Sequence, residues 1–494
     1  MRLTRRQALK LGLLGTGAVM LPLGQLARVN AGSSVEDQPT SLPVEPFQAL
    51  LRIPPVAVPV RTFPDHDEYV ITQRVARAQI LPGKTTTIWG YEGITPGPTI
   101  MAHRDRPLVV HHVNRLGVPT TTHTHGLDVE ARSDGHPLDL VDPGSEHEHH
   151  FPNFDAAATL WYHDHAIDTT GRNVYMGLAA FYLITDDHEQ SLPLPKGQFD
   201  VPLVIQDRLF NADGSLFYPK HDPTRPVRQG VFGDVILVNG TPYPVLQVAR
   251  RKYRFRILNG SNARAYQLSL STGEPLTVIA TEAGLLASPV DTADLFIMPA
   301  ERYNVVVDFS KHPIGTQVVL RNSFAPDPFG DPVDPQRTSQ IMRFDVVDDA
   351  PDPSSVPVDL NVLPTLRPSD SVRTRTWRFE RNGGAWTING LTFGPDRFDA
   401  FPKLGTTEIW EFVNKSGGWI HPIHPHLVNF LMLDRNGQPP KPYERGQKDV
   451  TFLGPNETVR VIMKFEHFTG RYVFHCHNLE HEDHDMMTQF LVEP

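Results

Sequence analysis

Tyr91-Glu92-Gly93-Ile94-Thr95-Pro96-Gly97 is echoed twice further along the chain, as Val238-Asn239-Gly240-Thr241-Pro242 and as Ile388-Asn389-Gly390-Leu391-Thr392. About twenty residues after each comes a run rich in β-formers that ends in asparagine: Val109 to Asn114, Phe255 to Asn259 and Ile409 to Asn414. The glycines recur after 147 and 150 residues and the asparagines after 145 and 155, the mark of a triplicated domain. Between these landmarks lie short alternating or β-branched runs bounded by Pro, Gly and Asp turns, such as Val201 to Ile205, Asn304 to Phe309 and Val459 to Met463. That is the pattern of β-sandwiches. The 46 prolines and 36 glycines equally disfavour a helical bundle. The expected division is 45–190, 198–347 and 372–494, with the proline- and acid-rich stretch 348–371 linking the last two.

Lys and Arg number 46 against 56 Asp and Glu, a net charge of −10 that argues against nucleic acid or an anionic membrane as the main partner. The first ten residues carry Arg2, Arg5, Arg6 and Lys10, and an apolar, Gly-containing run from Leu11 to Leu26 leads to Val29-Asn30-Ala31. A charged start, a short apolar core and a small-residue stop describe a signal peptide over residues 1–31. Pro22 and Gln25 interrupt the run too early for a stable membrane span, the rival reading. Thr4-Arg5-Arg6-Gln7-Ala8-Leu9-Lys10 resembles the twin-arginine export signal, so a periplasmic or secreted protein is expected. Exported proteins commonly use cysteine in disulfides, but Cys476 is the only cysteine and needs another explanation.

The 23 histidines include five His-x-His pairs: His123/His125, His147/His149, His163/His165, His424/His426 and His475/His477. Residues i and i+2 of a strand share a face, so each pair can offer two imidazoles to one metal cluster. The middle repeat has only scattered histidines such as His221 and His312, which makes it a spacer in this reading. His147/His149, after a Pro-Gly turn and interleaved with glutamates, reads as a solvated strand edge. His111 and His112 are adjacent and should face opposite sides of a strand.

His475-Cys476-His477-Asn478-Leu479-Glu480-His481-Glu482-Asp483-His484-Asp485-Met486 carries the most chemistry. A thiolate, an imidazole and a thioether on one loop, with a second imidazole from His421-Pro422-Ile423-His424-Pro425-His426, make the donor set of a blue-copper site. Strand parity then divides the ligands. Cys476 points away from His475 and His477, and His421 away from His424 and His426, leaving eight imidazoles in four pairs, enough for about three metal ions. His477-Asn478-Leu479-Glu480-His481 also matches the H-x-x-E-H zinc-peptidase pattern, but that requires a helix where a strand precedes, and it leaves Cys476 unexplained.

His123-Thr124-His125-Gly126, Trp161-Tyr162-His163-Asp164-His165 and the segments His421 to His426 and His475 to Met486 resemble the four copper motifs of the multicopper oxidases, in the family's order. The resemblance implies an all-β fold of three consecutive cupredoxin-like Greek-key β-sandwich domains holding four copper ions. Carried over, type 1 copper would take His421, Cys476, His481 and axial Met486; type 2 copper His123 and His424; the type 3 pair His125, His163, His165, His426, His475 and His477. Trp419-Ile420-His421 resembles the bilirubin-oxidase branch, with spore-coat laccase-like enzymes as other close kin; Trp419 would lie at the type 1 rim. Asp134 and Glu482 resemble acids near the family's cluster and would relay protons, unless they are ordinary solvated carboxylates.

The implied activity is one-electron oxidation of phenols, aromatic amines or tetrapyrroles coupled to four-electron reduction of O2 to water, by a monomer whose partners are a small-molecule reductant and O2. Ten methionines without a Met-rich insertion weaken the alternative of a cuprous oxidase. A non-catalytic cupredoxin scaffold would have lost ligands, and none is missing.

Overall fold

The computed structural model describes residues 40–219, 230–324 and 337–494. The signal segment 1–31 and His221 lie outside them. Six sheets account for the described strands, two to each repeat. In the first repeat, a sheet ordered Arg61–Thr62, Asp67–Ala78, Leu108–Asn114, Glu146–Phe151 is accompanied by one ordered Ile100–His103, Ala179–Thr185, Ala158–Asp164, Thr122–His125. Among the described residues no helix is long and apolar enough to cross a membrane.

The repeated residues do the same mechanical work three times. Glu92-Gly93, Asn239-Gly240 and Asn389-Gly390 are two-residue turns in which both φ angles are positive, between 49° and 78°. Two left-handed residues make the hairpin turn whose twist suits the flanking strands, hence Gly second and Asn in two of three first places. The asparagines end a strand that runs parallel to its repeat's opening strand: Asp67–Ala78 beside Leu108–Asn114, Asp200–Arg208 beside Lys252–Asn259, Ser371–Asn382 beside Thr407–Lys415. Each Oδ1 accepts the backbone N–H two residues on, from Leu116, Ser261 and Ser416 respectively. Each Nδ2 donates to carbonyls of segments crossing the strand end: Val118 and Val141, Arg264 and Ile297, Trp419 and Gly454. This turn chemistry recurs because the strand's last polar groups are buried and must be paired.

Each sandwich encloses its own core. The third packs Trp377, Trp386, Trp410, Phe412, Phe474 and Phe490 around Cys476 and Met486. The strands His421–Pro425 and Gly470–Cys476 pair antiparallel, with Ile423 opposite Cys476 and His424 opposite His475. In the first domain His123 lies opposite His163. Between Asp348, which ends a strand, and Ser371, which begins one, only the short turn Pro368–Asp370 is regular.

Candidate metal centre

Among the described residues five groups of side chains meet at distances suited to metal binding, four of them made of motif residues alone. All ten histidines of the four motifs are 1% exposed or less. Burial holds His421 and His163 down to about 3 and His165 to about 4, with Glu482 partly opposing it at His165, so these three rings favour the neutral form that keeps a lone pair for a ligand.

In the third domain, Cys476 Sγ lies 3.3 Å from His421 Nδ1 and 3.5 Å from His481 Nδ1, and the two Nδ1 atoms are 3.3 Å apart. His421 Nε2 donates to Ser416 Oγ at 2.9 Å, and Ser416 Oγ donates to Asn414 Oδ1 at 2.6 Å. The asparagine that ends the repeated strand thereby orients a ligand ring. Burial pushes the Cys476 thiol up, so a thiolate here needs a cation beside it. Met486, fully buried, is tied to the same loop: Cys476 N donates to Met486 O and Met486 N to His481 O, both at 3.0 Å.

Cys476 separates this pocket from a larger one. His123 Nε2 and His424 Nε2 face each other at 3.4 Å. Their Nδ1 protons are already directed to Asp134 O and Asp449 O at 2.5 and 2.8 Å, so two lone pairs confront each other. His165, His426 and His475 bring three Nε2 atoms within 3.2 to 3.3 Å of one another. Their Nδ1 atoms face carboxylates: Asp134 Oδ2 lies 2.8 Å from His426, and Glu482 oxygens lie 3.2 and 3.0 Å from His165 and His475. His125, His163 and His477 form a third group, in which His125 Nδ1, His163 Nε2 and both His477 nitrogens are buried without hydrogen-bond partners. Converging acceptors with no donor between them are costly unless a cation sits there. Nitrogens about 2.0–2.1 Å from a common metal are spaced close to what is seen here. Thiolate plus imidazole in one pocket and imidazole alone in the others suit copper.

Asp134 and Glu482 are 0% and 3% exposed, so neither is a solvated carboxylate. Burial pushes Asp134 well above the usual carboxylate range. Burial also raises Glu482, but the His475 and His165 imidazoles outweigh it and hold the group near 2.

Several expectations are refined. The loop after Cys476 contains a short helix, Leu479–Glu482, capped by Asn478, whose side chain accepts from Glu480 N and His481 N. Even so, the H-x-x-E-H pattern makes no single site, because His477 joins His125 and His163 while His481 joins Cys476 and His421. His147/His149 do lie on an edge strand, but His149 is 1% exposed and its Nδ1 donates to Ser133 O. Adjacent loop chain covers that edge. The second repeat is more than a spacer: Asn262 Nδ2 donates to Glu480 Oε1 at 2.8 Å, gripping the short helix, and Arg302 reaches Asp449.

Trp419, half-buried, lies 5.2 Å from Trp386 and 6.0 Å from the His481 ring. Trp386, whose ring lies 4.0 Å from that of His481 with the planes tilted by 33°, carries no signal in the sequence; nor do Asp449 and Arg302, which meet across more than a hundred residues of chain.

The chain matches the multicopper oxidase family over residues 73–189, 172–329 and 365–494. A bilirubin oxidase from Albifimbria verrucaria is 40% identical over 90% of this chain and 81% of its own length. A laccase from Bacillus stratosphericus is 37% identical over 90% of this chain and 98% of its own. The crystal structure of a laccase from Pediococcus acidilactici superposes with a TM-score of 0.84 at 34% identity, covering 92% of this chain and 95% of that one. The protein belongs to the multicopper oxidase family, copper-dependent oxidoreductases that use O2 as acceptor. Its fold is three cupredoxin-like domains.

Proposed function

We propose that the protein is an exported laccase- or bilirubin-oxidase-type enzyme that oxidises phenols, aromatic amines or tetrapyrroles one electron at a time and reduces O2 to water. Four coppers are assigned: type 1 to His421, Cys476, His481 and Met486; type 2 to His123 and His424; the type 3 pair to His125, His163 and His477 and to His165, His426 and His475. Export along the twin-arginine route is supported by Arg5-Arg6 and the apolar run behind them.

The observation that carries this reading is the placement of Cys476. Its Sγ meets His421 and His481, while its chain neighbours His475 and His477 each enter a different nitrogen cluster. One residue of covalent chain therefore joins the two pockets. Copper, when bound, supplies the one-electron redox chemistry and the four-electron reduction of O2. The chain supplies the spacing and the dry, rigid surroundings. Ser416 orients His421, and Asp134 and Glu482 face the outer nitrogens of His426, His165 and His475. These two acids are also the groups placed to pass protons towards the cluster. Trp419 stands beside His481 at the partly exposed end of the type 1 pocket, where a flat aromatic reductant would rest.

The test is oxygen uptake by copper-loaded protein with a substituted phenol and an aromatic diamine, alongside its visible spectrum. Blue colour with phenol-dependent O2 consumption is expected. Blue colour with uptake driven only by Cu(I) would favour the cuprous-oxidase alternative, and a colourless copper-loaded protein would overturn the type 1 assignment.

A further inference from the structure

The middle domain contributes no histidine to the cluster, yet one of its side chains ends there. Arg302, at the start of the strand Arg302–Asp308, has no exposed surface. Its Nε donates to Thr159 O of the first domain at 2.8 Å, and Nη1 to Ala300 O at 3.1 Å. Nη1 and Nη2 donate to the two oxygens of Asp449, in the third domain, at 2.6 and 2.5 Å. Asp449 in turn touches one ring from each outer domain. His125 Nε2 lies 3.2 Å from Oδ1, and His424 Nδ1 lies 2.8 Å from the backbone oxygen. Those two rings stack 3.6 Å apart with planes 11° from parallel.

The motif glycine is explained by the same pair. Gly126 has φ +89°, and a Cβ there would collide with Asp449 Oδ2 and lie 2.8 Å from Arg302 Nη2. The chain after His125 is thus shaped to admit this ion pair. His125, His424 and Asp449 are also close enough to hold an ion themselves, but the guanidinium already engages both carboxylate oxygens.

A neutral imidazole carries one N–H, and an acceptor at one nitrogen fixes the proton there and frees the other for metal. With Asp449 at Nε2, the free lone pair of His125 is on Nδ1, the nitrogen buried without a partner. We propose that Arg302 is a positioning residue: its two-bond grip on Asp449 fixes His125 with Nδ1 turned to the metal, so the middle domain sets the copper affinity of the His125–His163–His477 pocket. The proposal rests on the copper assignment made above. Lysine would not substitute, because an ammonium lacks the planar fork with which two guanidinium nitrogens align the carboxylate while a third holds Thr159 O.

The test titrates copper-free parent, Arg302→Met, Asp449→Asn and the double variant with copper, following copper bound per chain and blue absorption separately. Each single variant should lose roughly 10–100-fold in affinity at the cluster with unchanged blue absorption. The double variant should lose no more than the worse single, since both act through one ring. Parent-like cluster affinity in either single overturns the proposal, as does full additivity, or loss of blue and cluster copper together. If Arg302→Met fails to fold, Asp449→Asn decides alone, because it is isosteric: parent-like affinity there refutes the role. A parent that itself binds copper only in the blue pocket would instead refute the cluster assignment.

Discussion

The Cys476 pocket and the eight-histidine cluster share a strand but are assembled differently. His421, Cys476 and His481 all belong to the third domain, as do Trp386, Phe379 and Ser416 around them; the second domain reaches only the helix that carries His481, through Asn262. The cluster takes four rings from the first domain and four from the third, acids from both, and Arg302 from the second. A pocket held by one sandwich survives whatever that sandwich survives. A cluster held across a seam depends on the seam, and its geometry is as good as the contacts between domains. Removing a group should therefore show which of the two architectures it serves.

The largest expected effect falls on the first. Cys476→Ser replaces the soft donor and should abolish the blue absorption and the oxidation of phenols while the cluster keeps its copper. Persistent phenol oxidation in that variant would refute the division into two pockets. Next come the acids at the seam. Glu482→Gln and Asp134→Asn should leave copper content and substrate reduction of the blue site near parental, yet slow reoxidation by O2 by roughly 10–100-fold. The deficit should widen as pH rises and bulk protons become scarce, read by stopped-flow recovery of the blue colour in O2. Unchanged recovery at every pH would make either residue a bystander.

Met486→Leu is a smaller perturbation confined to the first architecture. A weak axial donor tunes potential more than it retains metal, so copper should stay and the potential should rise in a redox titration. Loss of blue copper would count against the axial role.

The mildest probe is acid. His136, from the first domain, pairs through Nε2 with Gln489 Oε1 of the third at 3.0 Å. Burial, with Arg471 nearby, lowers it from 6.5 to about 4. The unfolded chain therefore binds the extra proton first as pH falls, so the seam's contribution is complete above about pH 6.5 and drains away towards pH 4 at up to roughly 1.4 kcal/mol per unit. Cluster copper should be released in that window before blue copper. His136→Gln, which cannot protonate, should shift the release to lower pH; an unshifted release would place the acid-sensitive contact elsewhere.

What could be read from the sequence shares one property: it repeats, or it sits at short spacing. The glycine-ended turns and strand-ending asparagines are visible because three copies solve one local backbone problem. The ligand pairs were visible because strand parity puts i and i+2 on one face, and parity alone separates Cys476 from His475 and His477. The short helix at Leu479–Glu482 leaves no mark in the sequence because four residues give no helical period. His149 reads as solvated from its neighbours in sequence and is nevertheless buried, because exposure depends on the loop at Ser133 that packs over it.

By itself, then, the sequence determined three β-sandwiches, a thiolate–imidazole pocket and four imidazole pairs, all consequences of spacing within a few residues. Only the tertiary structure decided which nitrogen of each ring is free, which acids stand behind them, and that Arg302 and Asp449 meet beside His125. Those are matters of long-range burial: a carboxylate becomes a ring's partner only when folding removes water and brings strands from different domains within about 3 Å, and no local pattern encodes that approach.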